Sequence, residues 1–158
     1  MQQPDGTRSA SRTTLLALAA AAYLALTLWI TLGPVRGRVQ TSEGVLGVLN
    51  PQTWLAASTW SSGSAVEFAG NVLLFVPAGL LAAALLPAGL RLVGPLALTL
   101  AIEVVQIPLA ERASDPRDLV ANGLGALLGV LAVAAARLLA HDPGTPRPPS
   151  RTASRTPV

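Results

Sequence analysis

Four long blocks of apolar residues constrain this chain of 158 residues more than any other feature. The first covers residues 13–32 without a charge, which is about the length that an α-helix needs to cross the hydrocarbon of a bilayer. The others cover residues 68–86, 92–110 and 119–139. Only 12% of the residues are charged, against about 25% in soluble domains. The sequence therefore predicts an all-α, polytopic membrane protein with about four transmembrane helices in a small bundle.

The first block also has features of a cleavable signal peptide, because Arg8 and Arg12 precede it and small residues are plentiful. It is longer than a typical signal-peptide core, and further apolar blocks follow it, so we interpret it as a retained helix. Residues 1–12 then form a cytoplasmic segment and residues 13–140 the transmembrane domain. Residues 141–158, rich in proline, serine and arginine, are expected to be a disordered tail.

Composition excludes several kinds of site. Cysteine is absent and His141 is the single histidine, which removes disulfides, thiolate metal sites and histidine clusters. All 11 basic residues are arginines, scattered from Arg8 to Arg155, whereas a nucleic-acid surface gathers its cations on one face. We therefore expect no cofactor and no nucleic-acid partner. Membrane lipids are the expected partners, and an oligomer stays open.

The placement of arginine predicts how the chain is oriented in the cell membrane, because cytoplasmic loops carry the excess of positive charge. With the N-terminus inside, seven arginines lie on the cytoplasmic side and four lie outside. The seven are Arg8, Arg12, Arg91, Arg137, Arg147, Arg151 and Arg155, and the four are Arg36, Arg38, Arg112 and Arg117. We therefore expect both termini in the cytoplasm. The segment 33–66, with Trp54 and Trp60, should lie on the outer leaflet.

Each of the last three blocks has a carboxylate and an amide about one helical turn apart, a spacing that places both on one helix face. The pairs are Glu67 with Asn71, Glu103 with Gln106, and Asp118 with Asn122. In the expected topology all three pairs lie at the outer end of the bundle. Arg112, Asp115 and Arg117, from the loop between the last two blocks, lie at the same end. These residues form the candidate binding site.

A structural role is the alternative for the same side chains. Ionisable groups inside a bilayer cost about 2.5–3.5 kcal/mol at its centre, so they usually face the bundle interior with partners. Glu103, within TLAIEVVQIPL, is the clearest case. It would then join helices by pairing with Arg112 or Arg117, and the amides would pack between helices. Both interpretations stay open from the sequence.

Prolines and glycines of the blocks also suggest structural roles. Pro77, Pro95 and Pro108 are expected to kink their helices. Gly125 and Gly129 form a small-xxx-small pattern that allows two helix backbones to approach closely. An alanine-rich sequence without a packing role produces the same pattern, so both interpretations stay open.

Taken in order, these motifs resemble the VanZ-like family, small multi-span membrane proteins named for a teicoplanin-resistance protein. The resemblance covers roughly residues 15–140 and is carried by EFAGNVLLFVPAGLL and EVVQIPLAERASDPRDLVANGLGALLGVL. The matching residues are Asn71, Phe75, Pro77 and Gly79; Glu103 and Gln106; and Arg112, Asp115, Asp118, Asn122, Gly125 and Gly129. Family members often carry an aromatic or apolar residue after the arginine, where this chain has Ser114-Asp-Pro-Arg. The loop chemistry is therefore less transferable.

The resemblance implies a bacterial membrane protein linked to lowered sensitivity to glycopeptide antibiotics. Three functions stay open. In the first, the outward pocket binds a polar lipid or cell-wall precursor headgroup, with arginine suited to phosphate and amides to sugar or peptide groups. In the second, the chain is an enzyme with Glu103 as base and Asp115 and Asp118 as metal ligands, although no nucleophile motif accompanies them. In the third it is a small transporter, although it lacks an inverted repeat.

Overall fold

The computed structural model describes residues 5–34, 46–61, 63–109 and 114–140, and for residues 5–9 it describes the backbone alone. Within these ranges the chain forms helices and no strand, and four helices are long and apolar enough to cross a membrane. The helices are α1 (Asp5–Leu32), α2 (Pro51–Leu55), α3 (Ala57–Ser61), α4 (Ala65–Leu85), α5 (Val93–Gln106) and α6 (Pro116–Ala140). Two 3-10 turns, Gly47–Leu49 and Ala88–Leu90, precede α2 and α5. The predicted all-α fold with four spans is confirmed.

Proline explains where the third span differs from its apolar block. The block continues to residue 110, but α5 ends at Gln106 because Pro108 has no N–H to donate to the carbonyl of Val104, which instead accepts the N–H of Ile107 at 3.3 Å. Pro95 lies in the first turn of α5, where its missing N–H costs no helical hydrogen bond. Pro77 lies inside α4. Pro77 and Pro95 therefore lie within helices as expected, and Pro108 lies beyond the end of α5, against the expectation. The kinks stay predictions.

The start of α6 is fixed by a capping sequence. The Asp115 carboxylate accepts the backbone N–H of Arg117 at 2.7 Å, and Pro116 occupies the first helical position. The backbone N–H of Asp118 donates to the carbonyl of Asp115 at 3.0 Å. Asp115 is thus the N-cap of α6, a structural role in addition to any role in binding.

Helices α4 and α6 run parallel and share the most extensive interface of the bundle. Their contacts advance together along both chains, from Asn71 with Asp118 to the carbonyl of Ala83 with Arg137. The amide of Gln106 donates to the carbonyl of Thr31 at 2.9 Å, which places the ends of α5 and α1 together. We call the end of the bundle where α1 and α5 end and α4 and α6 begin the polar end. The opposite end is the arginine end.

Three glycines let the backbones of α4 and α6 touch. A Cβ at Gly129 would lie 2.7 Å from the backbone nitrogen of Leu80 and 2.9 Å from the Cα of Gly79. A Cβ at Gly125 would lie 3.0 Å from the carbonyl carbon of Val72. These distances are shorter than ordinary contact, so the small-xxx-small pattern lies in the helix interface rather than facing lipid.

Candidate functional site

A buried polar face runs along the last turns of α5. Thr99, Glu103 and Gln106 follow one another at helical spacing and are each at least nine-tenths buried. Glu103 is the extreme case, with 1% of its surface exposed. A carboxyl group so deeply buried needs hydrogen-bond donors around it.

The donors for Glu103 come from the residues that precede α6. The backbone N–H of Asp115 donates to Glu103 Oε2 at 3.0 Å, and the Ser114 hydroxyl also hydrogen-bonds to the Glu103 carboxyl. Glu103 therefore joins the end of α5 to the start of α6.

Asp118 links the same region to α4. The Asn71 amide donates to Asp118 Oδ1 at 2.6 Å, between the second turn of α4 and the first turn of α6. Asp118 also lies close enough to Glu103 for their charges to interact. The polar groups of α4, α5 and α6 therefore meet at the polar end.

Asp115, Arg117 and Glu67 form the less buried part of this cluster. Burial raises the pKa of Asp115 above its usual range, and the negative charge of Glu67 adds to this. The N–H and the positive charge of Arg117 act in the opposite direction and lower it. Arg117 also packs on Gly63, where a Cβ would lie 2.8 Å from the guanidinium carbon. Gly63 also has a φ of +89°, which residues with a Cβ rarely adopt. Glycine is therefore favoured at this position both by the backbone conformation and by the close contact with Arg117.

The segment between α1 and α4 covers the polar end. The N–H of Val48 donates to Ser114 Oγ at 3.2 Å, and a Cβ at Gly47 would lie 2.5 Å from the same oxygen. The indole N–H of Trp54 donates to the carbonyl of Val48 at 2.8 Å, and Trp60 packs on Trp54 with ring centroids 6.3 Å apart. The 46–61 cap is thus tied through Ser114 to Glu103.

Six of the nine predicted site residues lie in one cluster: Glu67, Asn71, Glu103, Asp115, Arg117 and Asp118. Two others make contacts elsewhere. Gln106 bonds to Thr31 of α1, and the amide of Asn122 donates to Thr99 Oγ1 at 2.7 Å, between α6 and α5. Arg112 lies outside the described residues.

Several polar residues at or near the site are absent from the prediction. The sequence could have indicated Thr99, since it lies four residues before Glu103 and therefore on the same helix face. Tyr23, Thr27 and Thr31 recur every four residues along α1, and the Tyr23 hydroxyl donates to the carbonyl of Leu74 at 3.0 Å. That spacing could have indicated a bundle-facing polar stripe.

A metal role for Asp115 and Asp118 stays a prediction. Among the residues that the structure describes, no three acidic or histidine side chains gather in a way that would hold a metal ion. One oxygen of each carboxylate already accepts a hydrogen bond, from Arg117 and Asn71 respectively.

The family comparison agrees with this geometry. A model of the VanZ/LLP1 family matches residues 20–138, which include the second part of the first span, the other three spans except the last two residues of α6, and every described residue of the cluster. The chain belongs to the VanZ/LLP1 family. The resemblance seen in the sequence motifs is therefore confirmed. Neither the curated proteins nor the solved structures compared with this VanZ/LLP1 protein gave a match.

Proposed function

We propose that this VanZ/LLP1-family membrane protein acts at the cell envelope by binding the headgroup of a polar lipid or cell-wall precursor at its polar end. The observation that carries the proposal is the convergence of charged side chains from α4, α5 and α6 at a single end of the bundle, beneath the 46–61 cap. Ionisable groups at bilayer depth are costly, and a binding site is a common reason for keeping them.

The charges of the cluster suggest what the headgroup presents. Its described ionisable side chains are the carboxylates of Glu67, Glu103, Asp115 and Asp118 and the guanidinium of Arg117. Ionised carboxylates only accept hydrogen bonds, so a matching headgroup carries several donors, such as sugar hydroxyls, amide N–H groups or an ammonium. Arg117 supplies the complement for an adjacent phosphate or carboxylate. Glu103, almost fully buried, positions these groups rather than touching the headgroup.

An outward orientation of the polar end is part of the proposal. Arginine placement favours the arginine end, with Arg91 and Arg137, in the cytoplasm. A reporter fused after Val158 should then report the cytoplasm, and a reporter inserted between residues 33 and 66 the exterior. The reverse pattern would place the cluster inside the cell and contradict a role at the outer surface.

Asp118→Asn tests the ionic site most directly. The substituted amide can still accept the Asn71 hydrogen bond, so the helix contact is kept while the charge is removed. We expect the folded variant to lose a headgroup-bearing molecule that co-purifies with the wild type and is identified by mass spectrometry. Any lowered glycopeptide sensitivity conferred by the wild type should be lost as well.

Asp5→Asn is the charge-matched control, because Asp5 starts α1 at the arginine end. It should behave as the wild type. If Asp118→Asn folds and retains the bound molecule and the phenotype in full, an ionic headgroup site is refuted.

A membrane-embedded enzyme acting on an envelope lipid is the second candidate, because the structure places a carboxylate beside a hydroxyl. The Ser114 hydroxyl bonds to Glu103, a pairing that the sequence did not indicate. Ser114→Ala distinguishes the two functions. Under the binding proposal, Ser114→Ala weakens the contact with the 46–61 cap. The bound headgroup molecule is then recovered chemically unchanged from both the wild type and the variant. Under the enzyme candidate the wild type converts the lipid and Ser114→Ala does not.

A further inference from the structure

The arginine end contains a pair of guanidinium groups held on the backbone of α4. Arg91 Nε donates to the carbonyl of Leu86 at 3.2 Å, and Arg137 Nη2 donates to the carbonyl of Ala83 at 2.9 Å. The last carbonyls of a helix have no N–H partner within it, so both arginines bind where acceptors are free. Side chains from the α4–α5 connection and from α6 are thereby brought to the same helix end.

The two anchoring carbonyls lie three residues apart in sequence, that of Ala83 in the last turn of α4 and that of Leu86 at the C-cap, where the chain becomes extended. Each guanidinium has five N–H donors in a planar fork, and a single donor is used in each recorded bond. The pair therefore presents several N–H groups at fixed positions at the edge of the bilayer.

Neither arginine pairs with a carboxylate whose side chain the structure describes. The acidic side chains that the structure describes, Glu67, Glu103, Asp115 and Asp118, all belong to the polar end. No carboxylate among them pairs with Arg91 or Arg137, whose recorded bonds go to backbone carbonyls. The described carboxylates therefore supply no counter-ion to either arginine, and an anionic headgroup at the membrane boundary is a suitable one.

We propose that Arg91 and Arg137 bind the phosphate of an anionic phospholipid, seated at the end of α4. Arginine forks match phosphate oxygens in geometry as well as charge. Basic pockets between transmembrane helices are a recurring way of holding anionic headgroups. The lipid would bridge the α4–α5 connection and the end of α6, so it stabilises the bundle at the end opposite the headgroup cluster. The proposal does not depend on the proposed function of that cluster.

The test compares phosphatidylglycerol with phosphatidylcholine on the full chain in detergent, by native mass spectrometry and thermal unfolding. Phosphatidylglycerol should bind more tightly and raise the unfolding temperature more. Replacing Arg91 or Arg137 by Gln should weaken phosphatidylglycerol binding about fivefold for each arginine, the equivalent of ~1 kcal/mol. Arg12→Gln removes a charge from the start of the first span and should leave the preference unchanged.

A second variant keeps both arginines in place. Gly89 has open space around its position and lies two residues before Arg91, so Gly89→Glu adds a competing carboxylate without crowding the bundle. It should fold and lose most of the phosphatidylglycerol preference. Equal binding of the two lipids by the wild type, or an unchanged preference in folded Gly89→Glu, overturns the proposal. An equal effect of Arg12→Gln would show a general charge effect and also overturn it, as would stabilisation by inorganic phosphate alone to the same extent.

Discussion

Adding one methyl group at Gly129 should separate the two helices that form the site. The Cβ of Gly129→Ala would lie 2.7 Å from the backbone nitrogen of Leu80, whereas ordinary contact begins at 3.4 Å. The backbones must therefore move apart by at least 0.7 Å, the difference between these distances. Because the obstacle is backbone rather than a flexible side chain, a rotamer change cannot relieve it.

The size of the effect follows from overpacking and from loss of contact. Added methyl groups in a tight core typically cost about 1–3 kcal/mol. A gap of 0.5–1 Å forfeits roughly a quarter to a half of each dispersion contact along the interface. Gly70→Ala is the matched control, because Gly70 lies on α4 with no atom within 4 Å of a built Cβ. Both substitutions replace a glycine inside a helix and gain the same helix propensity of up to ~1 kcal/mol, so we expect the two variants to differ by the overpacking cost of about 1–3 kcal/mol.

The assay is reversible unfolding of the purified chain in mixed detergent micelles, followed by circular dichroism. Under the proposed function, Gly129→Ala should also weaken headgroup binding, because the shift pulls the Asn71 amide nitrogen away from Asp118 Oδ1, 2.6 Å from it in the wild type. If Gly129→Ala is as stable as Gly70→Ala, the close α4–α6 contact is not the one that the structure describes.

Two further predictions concern the polar cluster. Asp115→Asn keeps the acceptor of the helix cap but removes the carboxyl whose pKa burial raises. A raised pKa stabilises the fold fully below the unfolded value, and this contribution is lost as pH rises through the folded value. The wild type should therefore lose stability relative to Asp115→Asn as pH rises through the acid range. Unfolding temperatures of the two proteins that differ by the same amount at every pH would contradict this. A double-mutant cycle with Asn71→Ala and Asp118→Ala should give a coupling of about 0.6 kcal/mol, with ~1.7 kcal/mol as the upper end. No coupling in the unfolding free energies would mean that the hydrogen bond contributes nothing.

Hydropathy was enough to predict the number of spans, because the bilayer requires about twenty apolar residues for each helix. The residues at which the helices end could not be predicted from hydropathy alone. The third apolar block continues past Gln106, and the helix stops there because Pro108 lacks the N–H that the carbonyl of Val104 would accept in a continued helix. The sequence also showed that Gly125 and Gly129 could permit close packing. Which helix they would contact depends on the tertiary packing of the bundle, and the spacing of the glycines does not determine it.

The sequence predicted which carboxylates form the site, but it did not predict the hydrogen-bond partners of all its residues. Spacing placed each amide on the same helix face as its acid, and Asn71 is in the cluster as expected. A helix face is broad enough, however, for neighbours one turn apart to meet different partners. Gln106 and Asn122 accordingly bond to α1 and α5. The contacts of Ser114 with Val48 and Glu103 could not be predicted, because they join segments distant in sequence.

The buried position of Glu103 separates a positioning role from an ionic one. With 1% of its surface exposed, it reaches a headgroup only through Ser114 and Asp115, whose donors it holds. Glu103→Gln keeps an acceptor for the Asp115 N–H and removes the charge, whereas Glu103→Ala removes both. If Glu103 positions the start of α6, Gln should retain headgroup binding and Ala should lose it together with about 1–3 kcal/mol of stability, because the Asp115 N–H is left unpaired. If both folded variants lose binding equally, the charge itself is required, and the view of Glu103 as a positioning residue is wrong.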